Sequence, residues 1–368
     1  VRSTSAPPLT EGGLRRVLVV LCATEIVSWG VLYYAFPVLA PTISADTGWP
    51  VSTITAAFSA GLVTSALVGI WSGRLLDRIG PRPVMTVGSL LAVPAVAGIA
   101  LAPSLPLFFA AWVLAGFAMA GTLYPPAFAA LTRWWGPRRV RALTVLTLLA
   151  GLASTIFAPL TATLLDPLGW RDTYLVLAVV LAAITIPAHA VGLRGRWPEP
   201  HELDTTTAAG SVAAGAPREI VRSRAFVLLV PAVALGTFSA FAVVVNQVPL
   251  LLERGLSTST AAWALGLGGI GQVCGRLFYG RLDRVLSVRA RGVTILGLSA
   301  LATALLAAVP GPTGLLIAVA MLAGAARGIF TLLQATAISD RWGAAHYGRL
   351  NGLLSAPSMV ATAVSPWA

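Results

Sequence analysis

Apolar stretches recur along the whole length of this chain, and its few charges gather in the short links between them. Each stretch approaches the ~20 residues that an α-helix needs to cross a bilayer. Of the 368 residues, 57% are hydrophobic and only 10% charged; water-soluble proteins carry about 25% charged residues. So few charges cannot cover a globular surface, and the outer surface must therefore face lipid. A closed β-barrel is the other way to satisfy every backbone group in a bilayer. Barrels need alternating segments of about ten residues, and runs such as residues 296–309 do not alternate. The expected class is an all-α integral membrane protein.

The net charge of +12 would point to nucleic acid in a soluble protein. Here all 25 basic residues are Arg, and their placement follows membrane orientation instead. Spans are expected at about residues 15–40, 51–71, 84–102, 107–131, 142–165, 173–193, 224–252, 260–279, 292–309, 313–338 and 350–368. With these bounds, 21 of the 25 Arg fall on one side and two, Arg171 and Arg254, on the other. Positive charge stays cytoplasmic, which puts the N-terminus and the central linker inside and implies an inner-membrane, multi-pass protein. Arg276 and Arg327 remain, both inside expected spans. No cleavable signal peptide is evident, and the two cysteines, Cys22 and Cys274, read as packed thiols.

Residues 1–13 are polar and Pro-containing and are expected to be disordered, followed by a six-helix bundle over 14–193. Residues 194–222 form the one long polar stretch, with Glu199, Glu202, Asp204 and Arg218, and read as a flexible cytoplasmic linker. A second bundle covers 223–368. Duplication is visible in Gly73-Arg74-Leu75-Leu76-Asp77-Arg78-Ile79-Gly80-Pro81-Arg82 and a shorter copy, Gly280-Arg281-Leu282-Asp283-Arg284, each expected as a tight turn between spans. Two similar halves predict six helices plus six, so the odd count of eleven implies a twelfth helix missing from this sequence.

These features resemble the major facilitator superfamily, whose signature loop is matched by Gly73, Asp77, Arg78, Gly80 and Arg82. The resemblance implies two pseudo-symmetric six-helix bundles. Asp77, near a helix end, is expected to accept backbone hydrogen bonds and to pair with a cytoplasmic Arg; the resemblance implies the same latch at the inner gate, with Gly73, Arg78 and Arg82 beside it and Asp283 and Arg284 in the second copy. Further motifs are similar to the monocarboxylate and oxalate–formate branch. They are Arg133-Trp134-Trp135, Arg138-Arg139-Val140-Arg141, Gly151, Gly169-Trp170-Arg171, Val248-Pro249, Gly255-Leu256-Ser257 and Gly275-Arg276. In that branch an Arg of the eighth helix holds the substrate carboxylate, and Arg276 stands at the matching place. Gln272 replaces the acid of animal members, and the last span lacks the second cation of the oxalate members.

Charge inside a span is costly and marks function by default. Arg276 shares a helix face with Gln272 and Tyr279 at i−4 and i+3 spacing, and a guanidinium grips a carboxylate through two parallel hydrogen bonds. The competing reading ends the eighth helix early and leaves Arg276 in the cytoplasmic cluster. Arg327, flanked by Gly324 and Gly328, is open in the same way, although the glycines suit a close helix contact. Glu25 is the one carboxyl deep within a span; it is either the proton carrier or a neutral, hydrogen-bonded structural group. His189 reads as structural. Trp29, Tyr33, Tyr34, Tyr124, Asn246 and Gln247 are candidates to line a central cavity, with ordinary helix packing as the alternative. Pro37, Pro125-Pro126 and Pro249 are candidate helix breaks.

No metal cluster, no Gly-rich phosphate loop before a Lys and no nucleophile–base pair stands out, so no cofactor and no enzymatic activity are expected. The reading is a monomeric secondary transporter, a proton symporter for a small organic anion, with substrate, proton and bilayer as its partners. The rivals are a drug–proton antiporter of the same fold, a non-transporting membrane sensor and, last, a membrane-embedded enzyme. Arg and Ala with no Lys suggest a GC-rich bacterial genome.

Overall fold

A computed structural model describes residues 9–198, 216–256 and 258–365. Within them the chain is almost wholly helical, with no strand among the described residues. Seven helical stretches are long and apolar enough to cross a membrane. One of them, Leu105–Gly192, contains three passes separated by breaks. The passes are α1 (Glu11–Thr47), α2 (Val51–Ile79), α3 (Pro81–Leu101) and α4 (Leu105–Thr122 with Tyr124–Trp135). Next, α5 starts at Arg139–Ala150 and continues into Ala153–Pro187; the kink at Gly169 (φ 72°) inside that helix starts α6. The second half holds α7 (Arg224–Glu253), α8 (Thr258–Val285), α9 (Val288–Ala308), α10 (Thr313–Trp342) and α11 (Tyr347–Val364).

Both signature segments differ from expectation. Residues 73–79 continue α2, and the reversal is made by Gly80 alone, at φ 83°, with Pro81 opening α3. The second copy, 280–284, is likewise helical within α8. Hydropathy falls where a helix leaves the bilayer, but nothing there stops the helix. Only a residue free to adopt positive φ, such as Gly80, turns the chain so sharply. The consequence is angular: neighbouring residues of a helix point about 100° apart, so Asp77 and Arg78 cannot face the same way.

Proline acts at two of the three expected positions. Pro37 lacks the N–H that Tyr33 would bind, and α1 passes through a wide π turn at Gly30–Tyr34 just before it. In α4 the helix breaks at Leu123, extended at φ −88° and ψ −170°, ahead of Tyr124-Pro125-Pro126. By contrast, α7 runs through position 249 without a break, so that expectation is corrected. The outer link expected over 41–50 is helical to Thr47, and the N-terminal stretch is helical from Glu11, capped by the Thr10 hydroxyl. Residues 1–8 and the linker acids Glu199, Glu202 and Asp204 lie outside the described residues. Pro217–Arg222 is a short helix whose Ile220 is buried. Cys22 is buried as expected, but Cys274 is exposed on the surface of α8.

Two kinds of contact shape the second half. α8 crosses α10 at backbone distance, because each presents glycine to the other. A Cβ on Gly268 would lie 3.2 Å from the Ala320 carbonyl, and one on Gly324 would overlap the Gly268 carbonyl. Gly328 similarly abuts the Gln272 carbonyl and Gly271 that of Met321. Small residues let helix backbones meet where no hydrophobic force drives them together. Between halves, α2 lies along α11: Gly73 abuts Gly348 at one end, and Ser59 donates to the Ala363 carbonyl at 3.1 Å at the other. Gly324→Val is therefore expected to lower the melting temperature of the detergent-purified protein sharply, by about 1–3 kcal/mol of overpacking. Gly297→Ala in α9, with nothing within 4 Å of the added carbon, is expected to leave it unchanged. Equal melting of the two variants would remove the close crossing.

Candidate functional site

Two groups of polar side chains stand out, one at the arginine-rich end and one midway along the spans. At the arginine-rich end, Asp77 closes α2 against the start of α11. Its Oδ1 accepts from the Gly348 amide at 2.9 Å and its Oδ2 from the Arg349 amide at 2.7 Å. A carboxylate there satisfies free N–H groups and meets the positive end of the helix dipole. Arg133, at the end of α4, donates Nη2 to Asp77 Oδ1 at 2.8 Å and Nε to the Ala344 carbonyl at 3.1 Å. Its Nη2 also reaches the Ala345 carbonyl, and its guanidinium lies 4.7 Å over the Trp197 ring. The Arg133 side chain is fully buried.

The second half carries a counterpart. Arg291 at the start of α9 is buried between Asp283 and Asp340, pairing with both. Asp340 then reaches across to the first half, where Arg139 Nη2 donates to it at 2.8 Å and Arg139 Nε to Ser339 Oγ at 3.1 Å. Tyr279 joins this end: its hydroxyl meets Thr336 Oγ1 at 2.5 Å and its ring lies 5.5 Å from the Arg291 guanidinium. It does not accompany Arg276 as its spacing suggested.

Of the residues expected at the gate, Gly73, Asp77 and Asp283 sit in or beside these contacts. Arg78, Arg82 and Arg284 do not bridge the halves. Arg78 faces outward, Arg82 Nε donates to the Ala190 carbonyl at 2.8 Å, and Arg284 Nε to Gly280 of its own helix at 3.1 Å. The cause is the helical course of 73–79 and 280–284, which turns each Arg away from its Asp. Arg133, Arg139, Arg291 and Asp340 were missed. A signal existed: Asp77, Asp283 and Asp340 are rare acids on the arginine-rich side, each at the end of an even-numbered span.

The midway group joins both halves. Glu25 of α1 is fully buried; its Oε2 accepts from Trp29 Nε1 at 3.0 Å and its Oε1 has no partner. The Trp29 ring lies 5.0 Å from Tyr124 and 6.3 Å from Tyr34. From α8, Arg276 is 4% exposed and donates Nη1 to the Thr147 carbonyl of α5 at 2.6 Å, while its Nε has no partner. Room for it comes from Gly151, where an added Cβ would sit 2.6 Å from Nη1. Tyr34 lies within electrostatic reach of Arg276 and Arg327, and the two guanidiniums of each other; Tyr124 reaches Arg276 and Glu25. Neither guanidinium forms an ion pair among the described residues.

The other candidates differ in their surroundings. Tyr33 joins the edge of the midway group, its ring 5.4 Å from Trp29 and 5.2 Å from Tyr34, and packs 5.3 Å from Phe58 on its apolar side. Asn246 bonds the Ala242 carbonyl of its own helix at 3.0 Å and is exposed. Gln247 is buried with its Nε2 unpartnered, and Gln272 is half-buried with its backbone against Gly328. Arg327 borders a small cavity with Ser239, Ser299 and Thr303. His189 is buried, its Nδ1 2.7 Å from Ser89 Oγ. Among the described residues no group of His, Cys, Asp or Glu is arranged to hold a metal.

Two duplicated bundles joined by these end contacts define a class, and the sequence comparison agrees: residues 21–367 match the Major Facilitator Superfamily. The chain belongs to that family. It is 32% identical over 254 residues to human monocarboxylate transporter 11, covering 67% of this chain and 51% of that protein. It is 27% identical to bovine monocarboxylate transporter 13, covering 83% of this chain and 68% of that one. The chain spans about half the length of the monocarboxylate transporter 11 relatives it matches. Among solved structures, the human organic anion transporter MFSD10 superposes with TM-score 0.73 at 18% identity, over 98% of this chain and 93% of that one. The proton:xylose symporter XylE gives 0.68 at 14% identity, over 97% and 88%. These two likenesses speak for the fold.

Arg291→Gln would leave Asp283 without its cation and Asp340 with Arg139 alone. Breaking a buried pair costs about 3–5 kcal/mol, so this variant is expected to melt far below the parent. Arg289→Gln, at an exposed neighbour, is expected to melt with it; thermal scanning in one detergent decides.

Proposed function

We propose that this chain is a secondary transporter for a small organic anion, a monocarboxylate, moved by alternating access and coupled to protons. The observation that carries the reading is Arg276: an enclosed guanidinium with an unpartnered Nε and no carboxylate of its own among the described residues. A buried cation without an anion is costly, and a substrate carboxylate supplies the missing charge through two parallel hydrogen bonds. The names of the monocarboxylate transporter relatives support the same substrate class.

In this reading Arg327, Tyr34 and Tyr124 surround the anion and Trp29 forms an aromatic wall. Glu25 carries the proton: its free Oε1 can take one without breaking the Trp29 bond. Bundles 14–193 and 223–368 rock about this midway site, joined by the linker 194–222, as secondary carriers with binding at the repeat interface do. The Asp77–Arg133 and Arg139–Asp340 contacts are the inner gate, closed here. The N-terminus and linker face the cytoplasm, the protein sits in the inner membrane, and it works as a monomer.

Uptake of labelled lactate or pyruvate into proteoliposomes, driven by an imposed inward proton gradient, tests this. Wild type is expected to accumulate label. Arg276→Gln is expected to lose at least about 100-fold, on the scale of a lost charge-assisted bidentate contact of ~3 kcal/mol. Arg276→Lys is expected to recover only part. Glu25→Gln is expected to keep counterflow exchange while losing the response to the gradient. No monocarboxylate uptake, with efflux of cationic dyes instead, would favour drug–proton antiport, as the 30%-identical multidrug resistance protein MdtL of Shigella flexneri suggests. Unchanged fluxes in Arg276→Gln would remove the anion reading.

A further inference from the structure

A roomy cavity lies not between the halves but on the outer flank of the first one. It measures about 540 Å³ and is lined by α2 (Val68, Trp71, Arg74, Leu75, Arg78), α3 (Val84, Val87, Leu91) and α4 (Phe117, Gly121). Its origin is geometric. α2 and α3 part from the single-residue corner at Gly80, and each packs on α4, which forms the floor. Gly88 and Gly121 bring α3 and α4 to contact distance there: a Cβ on Gly88 would lie 3.0 Å from the Gly121 Cα.

The walls are apolar and open to the bilayer: Trp71 is 74% exposed, Val87 54% and Phe117 45%. At its arginine-rich end stand Arg74 and Arg78, one turn apart on the same α2 stripe as Trp71 and Leu75. Both are exposed, and neither has a hydrogen bond or ion pair among the described residues. No acid lines the groove, because Asp77 is turned inward to α11. An apolar slot ending in two free guanidiniums at the headgroup level complements one kind of molecule, a lipid with a negatively charged phosphate head.

We propose that this groove binds an anionic phospholipid, one acyl chain lying along Val68, Leu75, Val87 and Phe117, and the phosphate held by Arg74 and Arg78. Guanidinium groups take phosphate oxygens in pairs, and a basic side chain at an anionic bilayer surface favours binding by about fivefold each. The groove shares α2 with the inner gate: Arg78 and Asp77 are adjacent residues facing opposite ways.

Fluorescence of the full chain in phosphatidylcholine vesicles tests the site, with a minor fraction of phosphatidylglycerol brominated on its acyl chains as quencher. Wild type is expected to be quenched beyond the level set by random lipid mixing, and Trp71→Phe to lose most of that excess. Arg74→Gln/Arg78→Gln is expected to fall to the random level, while Arg74→Lys/Arg78→Lys keeps most of the excess. Val87→Phe, which fills the slot without adding an indole and leaves both arginines, is expected to abolish it. Equal quenching by brominated phosphatidylcholine, no loss in the double Gln variant, or displacement by inorganic phosphate alone would each overturn the proposal.

Discussion

The carboxylate of Asp77 does three things at once. It caps the start of α11, it holds the fully buried Arg133, and it fixes the register in which α2 runs along α11. Each depends on the others. The buried Arg133 guanidinium is costly without an anion beside it, and the amides of Gly348 and Arg349 need an acceptor once α11 is pressed against α2. The glycine contact of Gly73 with Gly348 brings the backbones close enough for all three. Arg291, between Asp283 and Asp340, repeats the arrangement in the second half and sends Asp340 back to Arg139. The halves are thus tied twice across one end, each time by an acid from one half and donors from the other.

That closure has a consequence midway along the spans. With the end shut, α5 and α8 lie close enough for Arg276 to reach the Thr147 carbonyl, and Gly151 leaves the space it occupies. The α8–α10 crossing brings Arg327 to the same region, because glycines at 268, 271, 324 and 328 remove the side chains that would hold those helices apart. Two guanidiniums, a carboxyl with one free oxygen and three aromatic side chains are gathered there from both halves. In the proposed cycle an arriving anion neutralises this excess of positive charge. In that proposal the cost of burying Arg276 falls only when the site is filled, and this would couple movement of the halves to substrate.

The sequence revealed what is local. Apolar length placed the spans, Arg asymmetry sorted the links, and charges such as Glu25, Arg276 and Arg327 were visible because they stand in apolar surroundings. Helix ends were harder: α2 and α8 continue past the apolar stretch, and only Gly80 marks the turn. The consequence reached the gate: Asp77 meets backbone amides and an Arg as expected, but Arg78 and Arg284, expected beside the acids, are turned away from them by the helix. Arg133, Arg291 and Asp340 were hidden for another reason. Asp77 lies 56 residues from Arg133, Asp340 lies 49 from Arg291 and 201 from Arg139, and the α11 amides lie 271 and 272 from Asp77. A basic run in a link gives no sign which of its members is buried. The lipid-facing groove depends on how two helices diverge over a third, which periodicity in one helix cannot express.

The most direct measurement is a spin–spin distance across the arginine-rich end. Labels would be placed at Arg141→Cys and Arg284→Cys, both exposed positions, in a background with Cys22→Ser and Cys274→Ser. If Asp77 and Asp340 hold the two halves together, the parent gives one short-distance population. Adding Asp77→Asn and Asp340→Asn then shifts a substantial fraction to a longer distance while the protein stays folded. An identical distance distribution in parent and double variant would contradict the latch.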